Sequence, residues 1–353
     1  MEKADRMKTG FLVLISTVIM TLSSCNKVVG PHYATQPGPR NYTWQVDTIN
    51  ADGNILSSID GSSDSSVWAV GEAGDFRFTI WHFDGKKWST DSVNRPLSPN
   101  AVRAFSPTDV WAVGEDGQIW NYNGIDWSQQ ARVPLPKGAQ GMFLNGIDGN
   151  SPSNLYADGE FFDSLDNAHP LIYHLSGSQW SQIKIQDFPD CGLYKMSFFA
   201  SNRALVLGFK HLPDGSAPDS DKIFSFDGNN LQEIYSGIEN RTGWADFCRI
   251  AGGCILLEGT SLSFYDGGQS QSLLMIASSN SGAGIVARST DDVVLSMLDG
   301  IAQYNGSDLE YLYHFTGSKL YVTGMKMFSK SLFILTHDYS NGLNYVYRGY
   351  LPK

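Results

Sequence analysis

Two segments of this 353-residue chain concentrate side chains able to do ligand chemistry. Glu160 to Pro170 supplies Glu160, Phe161, Phe162, Asp163, Asp166 and His169, and Phe209 to Lys222 supplies His211, Asp214, Asp219 and Asp221. Several carboxylate and carbonyl oxygens on irregular loops are what calcium takes, which makes calcium the one cofactor worth weighing. The spacings Asp163-x-x-Asp166 and Asp219-x-Asp221 nevertheless complete no loop motif. Zinc is poorly served, because His169 and His211 lack a third ligand at a recognisable spacing. Aromatics exposed among carboxylates also suit the docking of a protein or a glycan. The plain alternative is a pair of solvated loops made acidic for solubility.

Enzyme chemistry finds less support. Glycoside hydrolysis needs two carboxylates several ångströms apart, and with 36 Asp+Glu some pair always qualifies. No Gly-x-Ser-x-Gly elbow occurs, and no cysteine has a convincing histidine partner. Ser281-Gly-Ala-Gly284 precedes a strand pattern, where phosphate cradling requires a helix. No catalytic residue is assigned. The formal charge of −11, from 36 acidic against 25 basic residues with no basic run, excludes nucleic acid as the partner.

The amino end reads as an address. Lys3, Arg6 and Lys8 precede the apolar run Phe11 to Met20, which is short for a bilayer span and right for a signal-peptide core. The run ends in Leu22-Ser-Ser-Cys25, which resembles the lipobox of bacterial lipoproteins. That resemblance implies cleavage after residue 24 and lipidation of Cys25, with two or more acyl chains for stable anchoring. The expected location is the cell envelope, on the periplasmic or surface face of an outer membrane. Cleavage leaves 22 basic and 34 acidic residues, a net −12 that an anionic lipid surface repels. Residues 25–40, with Pro31, Pro37, Pro39, Gly30 and Gly38, read as a flexible tether. Of the remaining thiols, Cys248 and Cys254 flank Arg-Ile-Ala-Gly-Gly and are placed either to bridge a hairpin or to be buried separately.

The elements that position these residues come from a repeat. Ile80-Trp-His-Phe-Asp-Gly85 recurs as Ile119 to Gly124, Ile172 to Gly177 and Ile223 to Gly228. Weaker copies end at Gly267, Gly306 and Gly349, so successive glycines lie 39, 53, 51, 39, 39 and 43 residues apart. Upstream of each lies an apolar run such as Val67-Trp-Ala-Val-Gly71 or Val110-Trp-Ala-Val-Gly114, preceded by another short strand. Downstream, after an Asp-Gly or Asn-Gly hairpin turn, Trp88, Trp127 and Trp180 open a fourth strand. Four antiparallel strands repeated seven times make an all-β, seven-bladed β-propeller over residues 41–353. The last blade runs out after three strands, and Asn41 to Ile49, carrying Trp44, is an orphan strand that completes it.

The string Asp109-Val-Trp-Ala-Val-Gly-Glu-Asp-Gly-Gln-Ile-Trp120, with Tyr122-Asn-Gly124 and Trp127, resembles the repeats of bacterial propellers in the photosystem-assembly-factor and sialidase-like group. The resemblance implies an exported scaffolding or ligand-binding propeller. The expected function is therefore a membrane-tethered binding or scaffolding module for a protein or polysaccharide. The alternative is a glycan-acting enzyme at the channel mouth, for which Arg103, Arg249 and Arg288, falling on or after innermost strands, would have to converge. The long connections of blades 3 and 4 should touch on one face and form the ligand site. The repeated tryptophans belong between blades, leaving Trp244 as the one off-pattern tryptophan.

Overall fold

The computed structural model describes residues 37–71, 74–210, 219–238, 244–276, 281–316 and 320–352. The proposed signal peptide, Cys25, His211 and Asp214 lie outside them. Seven four-stranded antiparallel sheets form a propeller, each blade ordered from its innermost strand outward. The innermost strands of blades 1 to 7 are Leu56–Ser63, Pro99–Ser106, Gly141–Ser151, Cys191–Ala200, Ala245–Ile250, Ser281–Ser289 and Leu320–Met327. The ring closes as expected. Thr43–Ile49 adds to Leu343–Tyr350 with Thr43 opposite Tyr350 and Ile49 opposite Asn344, making the amino-terminal strand the outermost of blade 7.

Local chemistry sets the turns. In five blades the third and fourth strands meet through the same hairpin, in which Asp84, Asn123, Asp227, Asp266 or Asn305 accepts hydrogen bonds from two backbone N–H groups just ahead. The glycine that follows, as at Gly85 (φ 89°) and Gly228 (φ 100°), takes the left-handed conformation that the turn requires. Gly349 differs from its six counterparts: it lies within the strand Leu343–Tyr350, opposite Trp44, and a Cβ there would press on the indole.

The core is distributed among the blade seams. Trp68 of blade 1 packs on Tyr122 and Trp127 of blade 2, Trp111 of blade 2 on Trp180 of blade 3, and Trp44 on Tyr313 of blade 6. Burial of one such ring removes about 150–250 Å² from water, on the order of 4–6 kcal/mol. His82 and His174 stack on Trp68 and Tyr156 at 4.1 Å and serve the same seams. Cys248 and Cys254 are free thiols: Cys248 faces Ile255 and Cys254 faces Arg249, so the hairpin register turns them to opposite sides of the sheet. Burial pushes the Cys254 thiol up to about 12.

The topology defines two faces. First-to-second and third-to-fourth strand turns lie on one, here the bottom; second-to-third turns and blade-to-blade connections lie on the other, the top. The chain enters from the bottom, where Gly38 N–H donates to Asp291 O (2.9 Å) and Arg40 pairs with Asp308 and Glu310 (3.0 Å) in blade 6.

Candidate functional site

An innermost strand pairs on one side only, so its free edge turns backbone groups toward the channel, where each needs a partner. Side chains from the preceding blade supply several. Asp60 accepts from Ala104 N–H (2.8 Å), Asp148 from Phe198 N–H (2.8 Å) and Asp246 from Ile285 N–H (3.1 Å), crossing seams 1–2, 3–4 and 5–6. Cations neutralise these carboxylates: Lys326 pairs with Asp60, Arg103 bridges Asp60 (3.3 Å) and Asp148 (2.9 Å), and Lys195 pairs with Asp246 (2.7 Å). Burial alone would raise Asp60, but Lys326 and Arg103 outweigh it and hold the carboxyl below its ordinary value. This belt forms the waist of a cavity of about 490 Å³.

The top of the cavity is built by β-bulges. Near its top end the innermost strand of five blades carries an extra residue, and there that residue is polar: Ser57, Asn100, Asn145, Tyr194 and Thr323. A bulge re-aims its side chain along the rim, where three reach the next blade. Asn100 donates to Leu144 O (3.2 Å), Asn145 to Leu193 O (3.0 Å) and Thr323 to Leu56 O (2.7 Å), each acceptor being the residue before the neighbouring bulge. Tyr194 donates to Glu160 (3.2 Å) while the residue stays 41% exposed.

The ten predicted ligand residues divide among several places. The segment after Glu160 is mostly strand, Asn154–Phe162 and Ala168–Ser176, because pairing continues to Phe162 opposite Ala168; only 163–167 form a turn. Phe161 stacks on His169, which contacts Asp187 (3.0 Å) and Asp163 (3.5 Å). Burial opposes charge on His169, yet these two carboxylates raise its pKa. Asn167 and the Leu165 N–H hold Asp163 down at about 2. Phe162 packs edge-on against Phe143, and Asp166 is exposed at φ 62°. Glu160 turns away from this group into the seam with blade 4, where burial raises its pKa despite bonds from Tyr194 and Asn145. Asp221 is buried and accepts from Ala245 N–H of blade 5 (2.7 Å). Asp219 borders the residues outside the description. Among the described residues no group of three or more His, Cys, Asp or Glu side chains is placed to hold a metal ion.

The arginine cluster that a sialidase-like site would need does not form. Arg103 belongs to the waist, Arg249 donates to Phe198 O (2.9 Å), and Arg288 binds Asp292 (2.6 Å) and the Tyr42 hydroxyl (2.9 Å) beneath blade 6. Each lies against a different partner because consecutive blades point successive strand ends around the ring. Asp60, Asp148 and Lys326 were not singled out by sequence. Their signal is a charge embedded in an apolar repeat, opposite Trp68, Tyr156 and Phe333.

One buried group stands apart. Asp158 is fully buried, its carboxylate oxygens have no hydrogen-bond partner, and burial pushes it up to about 7. It occupies the repeat position of Val70 and Val113, and fits because its opposite residue, Gly146, leaves the carboxyl room that a Cβ would take.

No protein-family model matches the chain, and no curated protein matches it. Solved structures do. YCF48 bound to D1 peptide aligns at a TM-score of 0.55 and 16% identity, over 90% of this chain and 100% of that one. The WD40 β-propeller domain of Doa1 aligns at 0.57 and 12%, over 86% and 96%. The β-propeller domain of Myceliophteria thermophila Cps50 (Swd1) aligns at 0.58 and 8%, over 86% and 99%. Likeness at these identities speaks for the fold alone.

Proposed function

We propose that the chain is a binding module that docks a protein partner on the top face of its propeller, exported and held at a bacterial envelope membrane by a lipidated Cys25. The observation that carries the docking surface is the one-sided distribution of exposed apolar side chains. Phe76, Val93, Leu135, Leu165, Tyr194, Trp244, Met275, Leu298, Tyr321 and Tyr339 lie in top-face connections or the strand residues bordering them. Among the described residues only Ile125 of this class sits in a bottom turn, with Val46 and Tyr311 on outermost strands. Large exposed apolar side chains gathered on one side of a soluble body mark an interaction surface.

Three further observations support the reading. Gly38 and Arg40, at the start of the described chain, are held on the bottom face, opposite the proposed docking surface. The blade-3 residues Phe161, Phe162, Asp163, Asp166 and His169 stand at the top end of their hairpin and form the outer part of the proposed surface, while His211 and Asp214 lie outside the described residues. YCF48, a propeller of like fold, has been captured with a peptide bound.

The test is a photo-crosslinking residue placed in the full-length protein at Tyr321, Trp244 or Ile125 in its source cells. One dominant protein adduct from the first two positions and none from Ile125 is expected. Equal adducts from all three, or a polysaccharide adduct alone, overturns the reading. Radiolabelled palmitate incorporated into the wild type and not into Cys25→Ser tests the anchor separately.

A further inference from the structure

Resting on the top-face reading, we infer that the partner presents a cationic peptide segment, with lysine or arginine beside an aromatic or aliphatic anchor. The charge of the face changes around the ring. On blades 1 and 2 three acidic top-face groups are each paired with an arginine: Asp75 with Arg77, Asp91 with Arg95 (2.6 Å), Asp116 with Arg132 (2.8 Å). On blade 3 the turn 163–167 and the connection 184–190 contain Asp163, Asp166, Asp187 and Asp190, against Lys184, His169 and, opposite Cys191 in the next blade, Lys210. Asp166 and Asp187 are exposed. On the same face stand exposed aromatics, Tyr194 near the start of the next blade's innermost strand and Trp244 just before that of the blade after. Farther round, Tyr321 and Tyr339 of blade 7 meet edge-on at 5.1 Å.

Charge selects among possible occupants. A second copy of this chain, carrying the same acidic face on a body of net −12, is repelled, as are nucleic acid and an anionic lipid surface. A basic segment is attracted, and an aromatic or aliphatic side chain on it gains contact with the rim. The acidic groups steer the encounter and set its salt dependence, while the aromatics hold the bound state.

The experiment selects peptides from a random twelve-residue display library on the immobilised full-length protein, then titrates fluorescein-labelled winners by anisotropy. The expected winners are rich in Lys or Arg beside an aromatic or aliphatic residue, with affinity falling roughly tenfold between low and high salt. Trp244→Asp should weaken them at least about 30-fold. The double variant Asp166→Asn, Asp190→Asn should weaken them several-fold; Asn accepts the positive φ of 62° and 63° at these sites, so the backbone is preserved. Ile125→Asp on the bottom face should change nothing. Winners without basic residues, insensitive to salt yet lost with Trp244→Asp, overturn the cationic inference and leave the docking face intact. No winners, or winners lost with Ile125→Asp and not with Trp244→Asp, overturn both.

Discussion

The waist and the rim of the channel are built from the same seven strands, a few residues apart, and treat their side chains in opposite ways. At the waist every charge is partnered: Lys326, Asp60, Arg103 and Asp148 form one chain of contacts across four blades, and Lys195 with Asp246 a second. At the rim the polar bulge residues are latched to the next blade, but Tyr194, Trp244 and Tyr321 hold large apolar surfaces in water. The waist is the solution to a folding problem, that of seven unpaired inner edges. The apolar rim solves no folding problem, which is the physical reason to assign it to a partner.

Substitution at the waist should therefore cost the most stability. Asp60→Ala leaves Lys326 and Arg103 without a carboxylate and Ala104 N–H without an acceptor, so a loss of about 3–5 kcal/mol is expected. Urea unfolding followed by tryptophan fluorescence measures it. A loss below about 1 kcal/mol would mean that water reaches the belt and that the waist is no more closed than the rim.

Asp158 offers the next effect and a different sign with pH. Its folded pKa of about 7 stands above the ordinary 3.8, so the folded protein holds this proton longer than the unfolded chain does. Its contribution is fully present below pH 3.8 and is lost as pH rises through about 7. Asp60, lowered in the fold, acts oppositely and withdraws support as pH falls below 3.8. Asp158→Val, the residue found at this position in blades 1 and 2, should stabilise the protein by roughly 1–3 kcal/mol at pH 8 and less at pH 5. Equal gains at both values would mean that the carboxyl is ionised throughout.

The latches lie between the extremes. Asn145→Ala removes the bonds to Leu193 O and Glu160, and a loss of about 1 kcal/mol is expected in the same unfolding assay.

How much of this was legible depends on whether a residue acts within its own repeat or across a seam. Blade count, strand order and closure followed from periodic features: the Asx-Gly turns, the Val-Trp-Ala-Val-Gly runs and Trp44 as an unclaimed fourth-strand tryptophan. The seam role of Trp68, Trp111 and Trp127 followed from their recurrence. The bulges did not, because one extra residue in an inner strand leaves the alternation readable from either side, and Asn100 and Asn145 look like ordinary polar positions. The blade-3 segment read as a loop because Asp163 to Ala168 lacks strand-forming residues, although Glu160, Phe161 and Phe162 continue the ladder to the turn. Glu160 and Asp221 went to different seams for a reason invisible in one blade: each meets the following inner strand, not the other.

The smallest expected effect on stability is the one that bears most on function. Trp244 precedes the innermost strand of blade 5 and is 37% exposed, and Tyr321 is 57% exposed, so their truncation removes little that the fold relies on. Trp244→Ala and Tyr321→Ala should each shift unfolding by no more than about 0.5 kcal/mol. The same substitutions should abolish the crosslinked adduct, because an aromatic anchor at an interface carries a disproportionate share of its binding energy. If instead either truncation costs as much stability as Asn145→Ala, the aromatics are part of the ring's own packing. The contrast between a self-satisfied waist and a rim left open for another molecule would then disappear.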